Sequence, residues 1–154
     1  MTSPSELLDK DAIAAVLVRY CHLLDTRGFA SLAGEVFSED AVFANEGGGW
    51  RGGREIAARI EVAMRPFEGT AHVLGNVVID VEGGAAASSA SITAWHWLRE
   101  TAQGGASRPA DWVMVGAYRD RLVREARGWR ICQRRVERIG PGLVALGRQP
   151  KLEL

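Results

Sequence analysis

The stretch Thr70–Glu100, TAHVLGNVVIDVEGGAAASSASITAWHWLRE, decides the fold. It holds two strand-like runs, Thr70–Val81 and Ala85–Glu100, split by Gly83-Gly84, a pair suited to a two-residue hairpin. Two more such runs follow, Trp112–Arg124 and Trp129–Arg138, with breaks at Gly104–Pro109 and Ala126–Gly128. Four long strands joined in sequence by short turns predict an antiparallel meander. Upstream the period changes. Ile13, Val16, Leu17, Tyr20 and Leu24 recur every three or four residues, which predicts an amphipathic helix from about Ser5 to Thr26. Ser5 or Asp9 can cap its start and Gly28 fits its end. A short helix at about Phe29–Val36, a strand at Ala41–Asn45 and a turn-rich loop, Gly47–Gly53 around Trp50, come next. A helix from Arg54 to about Met64 is stopped by Pro66. Helices first and strands afterwards predict an α+β fold, with the helices packed on one face of a curved, mainly antiparallel sheet.

The chain has 154 residues, 47% of them hydrophobic, and its nineteen Lys+Arg balance nineteen Asp+Glu. Domains mostly run about 100–200 residues, so a single domain over residues 1–154 is expected, with a core at about 8–136 and a tail from 140 to 154 that has no clear period. Zero net charge argues against nucleic acid as a partner, because phosphate binding rests on basic surface. Cys21 and Cys132 form no CxxC, so a reduced, cytoplasmic setting is expected. The apolar stretch Ala12–Val18 is far short of the roughly 20 residues that span a bilayer. No membrane partner is expected.

Several side chains have the chemistry for a site. Asp25 closes the first helix, where the macrodipole and partial burial would both push a carboxyl's pKa up. His72 opens a strand whose alternate residues are His72, Leu74, Asn76 and Val78, two polar groups among apolar ones, as in a pocket lining. If the two meet, the carboxylate orients the imidazole and leaves its other nitrogen free to abstract a proton. The residues alone leave equally open a surface acid and a strand histidine bonded to a carbonyl. Tyr20 shares the helix's apolar stripe and lies about 140° around the axis from Asp25 at ~100° per residue. It is either plain core or a phenol that polarises a substrate oxygen. His96 shares a face with Ile92, Ala94 and Leu98, while Trp95 and Trp97 point outward, costly in water unless another surface covers them. Asn76 fits a pocket wall, and Trp50 and Trp112 fit a pocket mouth or a subunit contact. Arg134 faces the same way as Cys132 and Val136 in a run that, by itself, reads as a solvated or subunit-facing edge. His22 and Asp25 have no third ligand to complete a metal set. No dinucleotide or Walker loop and no Gly-x-Ser-x-Gly elbow is present. No metal and no cofactor are expected.

The segments IAAVLVRYCHLLDTRGFASLAGEVFSEDAVF, GGREIAARI, GTAHVLGNVVIDVEGGAAASSASITAWHW and YRDRLVREARGWRICQRRV resemble the SnoaL-like branch of the NTF2-like superfamily, over about Leu8 to Val136. The resemblance implies a cystatin-like cone: a bent sheet wrapped round a long N-terminal helix and a deep apolar pocket. In scytalone-dehydratase-like and dehydrochlorinase members an Asp near the end of the first helix pairs with a His on this strand, positions that Asp25 and His72 match. Tyr20 matches a tyrosine that in the dehydratases, the bile-acid dehydratases included, bonds a substrate oxygen. His96 matches a second histidine of the scytalone-dehydratase-like enzymes, and Arg134 lies near an arginine of the dehydrochlorinases that suits a departing anion. Members also form dimers or trimers.

Together these readings predict a cofactor-independent acid/base enzyme, a lyase of dehydratase type, acting on a small apolar oxygenated metabolite. His72 is the expected base, Asp25 its orienting partner and Tyr20 the group polarising the substrate. His96, Asn76, Trp50 and Arg134 are expected to bind substrate. A ketosteroid-isomerase-like or polyketide-cyclase-like isomerase would use the same parts, and a non-catalytic binding protein would need only the pocket. A homodimer or homotrimer is expected.

Overall fold

The computed structural model describes residues 3–99 and 108–140, and the backbone of 143–144. Helix α1 (Pro4–Asp25) starts one residue earlier than expected, because Ser3 rather than Ser5 or Asp9 is the cap: its hydroxyl accepts from the Glu6 N–H at 3.2 Å, and Pro4 takes the first turn. Ile13, Leu17, Tyr20, Cys21 and Leu24 form its buried face. Its end is a Schellman turn: Gly28 N–H donates to the Leu23 carbonyl (2.8 Å) and Arg27 N–H to that of Leu24 (3.3 Å). Arg27, not Gly28, takes the left-handed conformation (φ 62°). At Gly28 a Cβ would lie 2.6 Å from Leu23 Cδ2, so the buried Leu23 side chain would have to shift to admit one. Arg27 then reaches across to the carbonyls of Met64 (2.8 Å) and Phe67 (2.5 Å), tying the helix end to the strand that carries His72.

After a 3-10 turn (Phe29–Ser31) and a single helical turn, α2 (Leu32–Glu35), strand β1 (Phe37–Asn45) pairs with β2 (Gly48–Arg51). Trp50 therefore sits in a strand, not in the expected loop. Helix α3 (Gly53–Met64) buries Ile56, Ala57 and Ile60. The four long strands are β3 (Phe67–Glu82), β4 (Ala85–Leu98), β5 (Trp112–Glu125) and β6 (Gly128–Arg138). The order is β2-β1-β6-β5-β4-β3, antiparallel throughout except for the β1–β6 pair, which is parallel. The three helices pack on this curved, open sheet, as expected of an α+β cone. Most of the Gly104–Pro109 loop and of the tail lies outside the described residues; within the tail, β7 (Leu143–Val144) pairs with β5 beyond the end of β6. No described helix is long and apolar enough to cross a membrane.

Two bulges correct the strand faces expected from simple alternation. On β3 the pairing with β4 slips between Gly75 and Val78, one extra residue at Asn76, which takes φ 49°. Before the bulge Thr70, His72 and Leu74 point inward. After it the phase flips, so Ile79 and Val81 pack on the core while Val78 is exposed. On β6 the extra residue is Cys132, between Ile131 and Gln133. Trp129, Ile131 and Arg134 are consequently buried while Cys132 and Arg134 do not share a face. β4 runs unbroken against β5, and His96 faces inward with Ile92, Ala94 and Leu98 as alternation predicted.

Candidate active site

Asp25 ends α1 against the inner face of β3. Thr70 donates its hydroxyl to Asp25 Oδ1 (2.9 Å), the His72 backbone N–H donates to Oδ2 (2.9 Å), and His72 Nδ1 lies 2.6 Å from Oδ1. Burial works to raise the Asp25 pKa, but the His72 and Thr70 hydrogen bonds outweigh it and hold the carboxyl below its ordinary value. The expected upward shift is therefore corrected. The helix end has little uncompensated charge to exert, because Thr26, Arg27 and Gly28 already donate to its last carbonyls. An ionised carboxylate only accepts, so these bonds assign a proton to His72 Nδ1; in the neutral imidazole Nε2 then carries the lone pair. The His72 side chain is 4% exposed and Asp25's 27%.

His72 lines a hollow of about 120 Å³ that Tyr20, Tyr118, His96, Trp50 and Trp112 also line, the rest of the wall being mainly apolar. Asp25 is not part of that lining. It stands behind His72, so Tyr20 and Asp25 need not converge for both to serve one site. Burial pushes the Tyr20 phenol up to about 12, with Arg134 opposing, so it keeps its proton. His96 is buried between Phe67 and Trp112 (ring centroids 4.6 and 4.4 Å) and meets the His72 ring edge-on at 5.8 Å. Burial, helped by the neighbouring His72, pushes the His96 pKa down to about 3, so its imidazole is neutral. Trp50 is half-buried and stacks on Phe43 at 5.1 Å.

Two expected binding residues are placed elsewhere. Asn76 is exposed at the β3 bulge, 3.4 Å from Ser91 Oγ, and contributes nothing to the hollow. Arg134 is neither a solvated edge nor part of the lining. It is 0% exposed, bonded to Asp120 through Nε (2.8 Å) and Nη2 (2.7 Å), with its guanidinium over the rings of Tyr20 (4.1 Å) and Tyr118 (4.2 Å). It backs the two phenols that do line the hollow. Burial works against its charge and Asp120 more than offsets this, raising its pKa. Reasoning from the sequence missed Thr70, although its i, i+2 spacing to His72 marks the shared face. It also missed Tyr118 and Met114, which nothing local distinguishes from core.

With this geometry in view, the comparisons with known proteins fall into place. A protein from Kribbella flavida superposes with a TM-score of 0.75 at 24% identity, over 85% of this chain and 90% of that one. A Novosphingobium aromaticivorans protein, provisionally a scytalone dehydratase, gives 0.73 at 23% identity, over 94% and 97%. The hexachlorocyclohexane dehydrochlorinase LinA-type3 of Novosphingobium barchaimii LL02 gives 0.74 at 18% identity, over 94% and 95%. At such identities the likeness is one of fold. No curated protein matches the chain closely. The SnoaL-like domain model matches residues 5–135, and the chain belongs to that family.

Proposed function

We propose that this chain is a cofactor-independent lyase that starts an elimination by removing a proton from carbon. The observation that carries this reading is the 2.6 Å contact between Asp25 Oδ1 and His72 Nδ1 behind the wall of the hollow, which leaves His72 Nε2 as the base. Nε2 takes the proton, the C–H electron pair becomes the new double bond, and the leaving group departs with its own pair. A departing hydroxyl recovers a proton from the imidazolium, so water leaves and His72 returns to its starting state. Asp25 stabilises the transient imidazolium and keeps the ring turned. Tyr20, which holds its proton, donates a hydrogen bond to a substrate oxygen as charge develops there. His96 stays neutral and acts on binding alone. A small, largely apolar, oxygenated substrate suits the lining. Proton return by His72 to a neighbouring carbon, an isomerisation, is the second reading. It is favoured by the want of a separate strong acid among the described residues of the lining, where His96 is neutral and Tyr20 a weak acid.

The test is a screen of hydroxylated polyketides, steroids, terpenoids and chlorinated compounds for mass loss or a new ultraviolet band, run with wild type and His72→Ala. Positioned acid/base groups contribute about 10²–10⁴-fold, so His72→Ala should lose at least ~100-fold in turnover while remaining folded. A folded, fully active His72→Ala variant would falsify the mechanism.

A further inference from the structure

The hollow that holds His72 is too small to be the whole binding site. Its roughly 120 Å³ is well below the usual ~300–1,000 Å³ of ligand pockets. A second cavity of about 360 Å³ lies against it, and the two share Asn45, Trp112, Met114 and Val136 as a common wall. The outer cavity adds Glu46, Gly47 and Arg138. Trp112 and Met114 make its wall greasy. Arg138 is different. It follows Val136 by two residues on β6, about 7 Å along the strand at ~3.4 Å per residue. Its side chain is 29% exposed and its guanidinium sits 5.9 Å from the Trp112 ring. Among the described residues its one ion pair is with Glu46, at 4.0 Å, and Glu46 is itself 64% exposed. Such a contact contributes little. A guanidinium at the rim of an apolar cavity, weakly held, is well placed to pair with a carboxylate in bidentate fashion.

We propose that the outer cavity is a second subsite, which takes the carboxylate-bearing tail of an elongated substrate and anchors it on Arg138. The ring or other reacting head occupies the inner hollow, and a short alkyl spacer passes between Trp112 and Met114. Met114, unbranched, is the side chain that gives way. The inference rests on the proposed function only for which end of the molecule reacts. The substrate class is therefore an aryl- or cycloalkyl-alkanoic acid and not a compact neutral molecule.

The test is direct binding of the ω-phenylalkanoic acids from phenylacetate to 6-phenylhexanoate, and of their amides, by calorimetry. Wild type should prefer an acid to its amide by roughly tenfold, the value of a hydrogen bond to a charged group, and the preference should peak at one spacer length. Arg138→Gln should abolish that preference and leave amide affinity unchanged, and Glu46→Gln should tighten the acids. His72→Ala should keep the full preference, so a failure of the catalytic reading leaves this result intact. Equal affinity for acid and amide in wild type, an acid preference that survives Arg138→Gln, or no binding by any member overturns the proposal.

Discussion

Two carboxylates on the helix-facing side of the sheet hold a basic partner each, and they do different things. Asp120 and Arg134 are sealed between β5 and β6, bonded at 2.8 and 2.7 Å and capped by the rings of Tyr20 and Tyr118. The pair cannot exchange its proton: the guanidinium stays charged, so this site sets packing and holds two phenols in place. Asp25 and His72 are joined by one short contact at a helix end, with the carboxylate partly open and the imidazole facing a hollow. Here the partner is an imidazole, and the carboxylate engages one of its two ring nitrogens. The same acid thus serves structure where its partner is an arginine, which has no lone pair to offer, and suits acid/base work where its partner is a histidine lining a hollow.

The largest effect that would break this contrast is on stability. Arg134→Met leaves Asp120 buried without its partner, which should cost about 3–5 kcal/mol in denaturant unfolding. Replacing both residues with apolar ones of similar volume should restore most of that loss. If Arg134→Met folds as well as wild type, the pair is not structural. The next effect, on turnover, belongs to the other pair: the loss of at least ~100-fold in His72→Ala should come with a nearly unchanged melting temperature. The smallest effect sharpens the difference between the two histidines. His96, pushed from 6.5 down to about 3, is neutral when folded, whereas the unfolded chain binds a proton there below 6.5. Protein stability should therefore fall as pH drops through that window, and be fully present above it. His96→Phe, an aromatic ring among Phe67 and Trp112, should flatten this slope in melting temperature against pH. An unchanged slope would show that His96 is not the buried neutral group.

The parts of the site that could be read from sequence are those where local pattern survives folding. β4 pairs without interruption, so strict alternation placed His96, Ala94 and Ile92 on the inner face correctly. On β3 and β6 one extra residue each, at Asn76 and Cys132, reversed the phase, and for that reason Asn76 was assigned to the inner face and Arg134 to the same face as Cys132. A bulge leaves no mark in hydropathy beyond an Asn able to take positive φ. Arg134 looked like surface because its partners come from elsewhere: Asp120 across the β5–β6 hairpin and Tyr20 from α1. The Asp25–His72 meeting had two readings from residues alone, and the resemblance to SnoaL-like proteins favoured one of them. The downward shift at Asp25 could not be foreseen, since it depends on Thr70 and on a backbone N–H converging from β3.

The state of the His72 ring decides the account. Nitrogen-15 spectra of the histidine side chains should show neutral His72 protonated on Nδ1 and bare on Nε2 in wild type, with that preference lost in Asp25→Asn. A neutral His72 carrying its proton on Nε2, or a ring indifferent to Asp25→Asn, would contradict it.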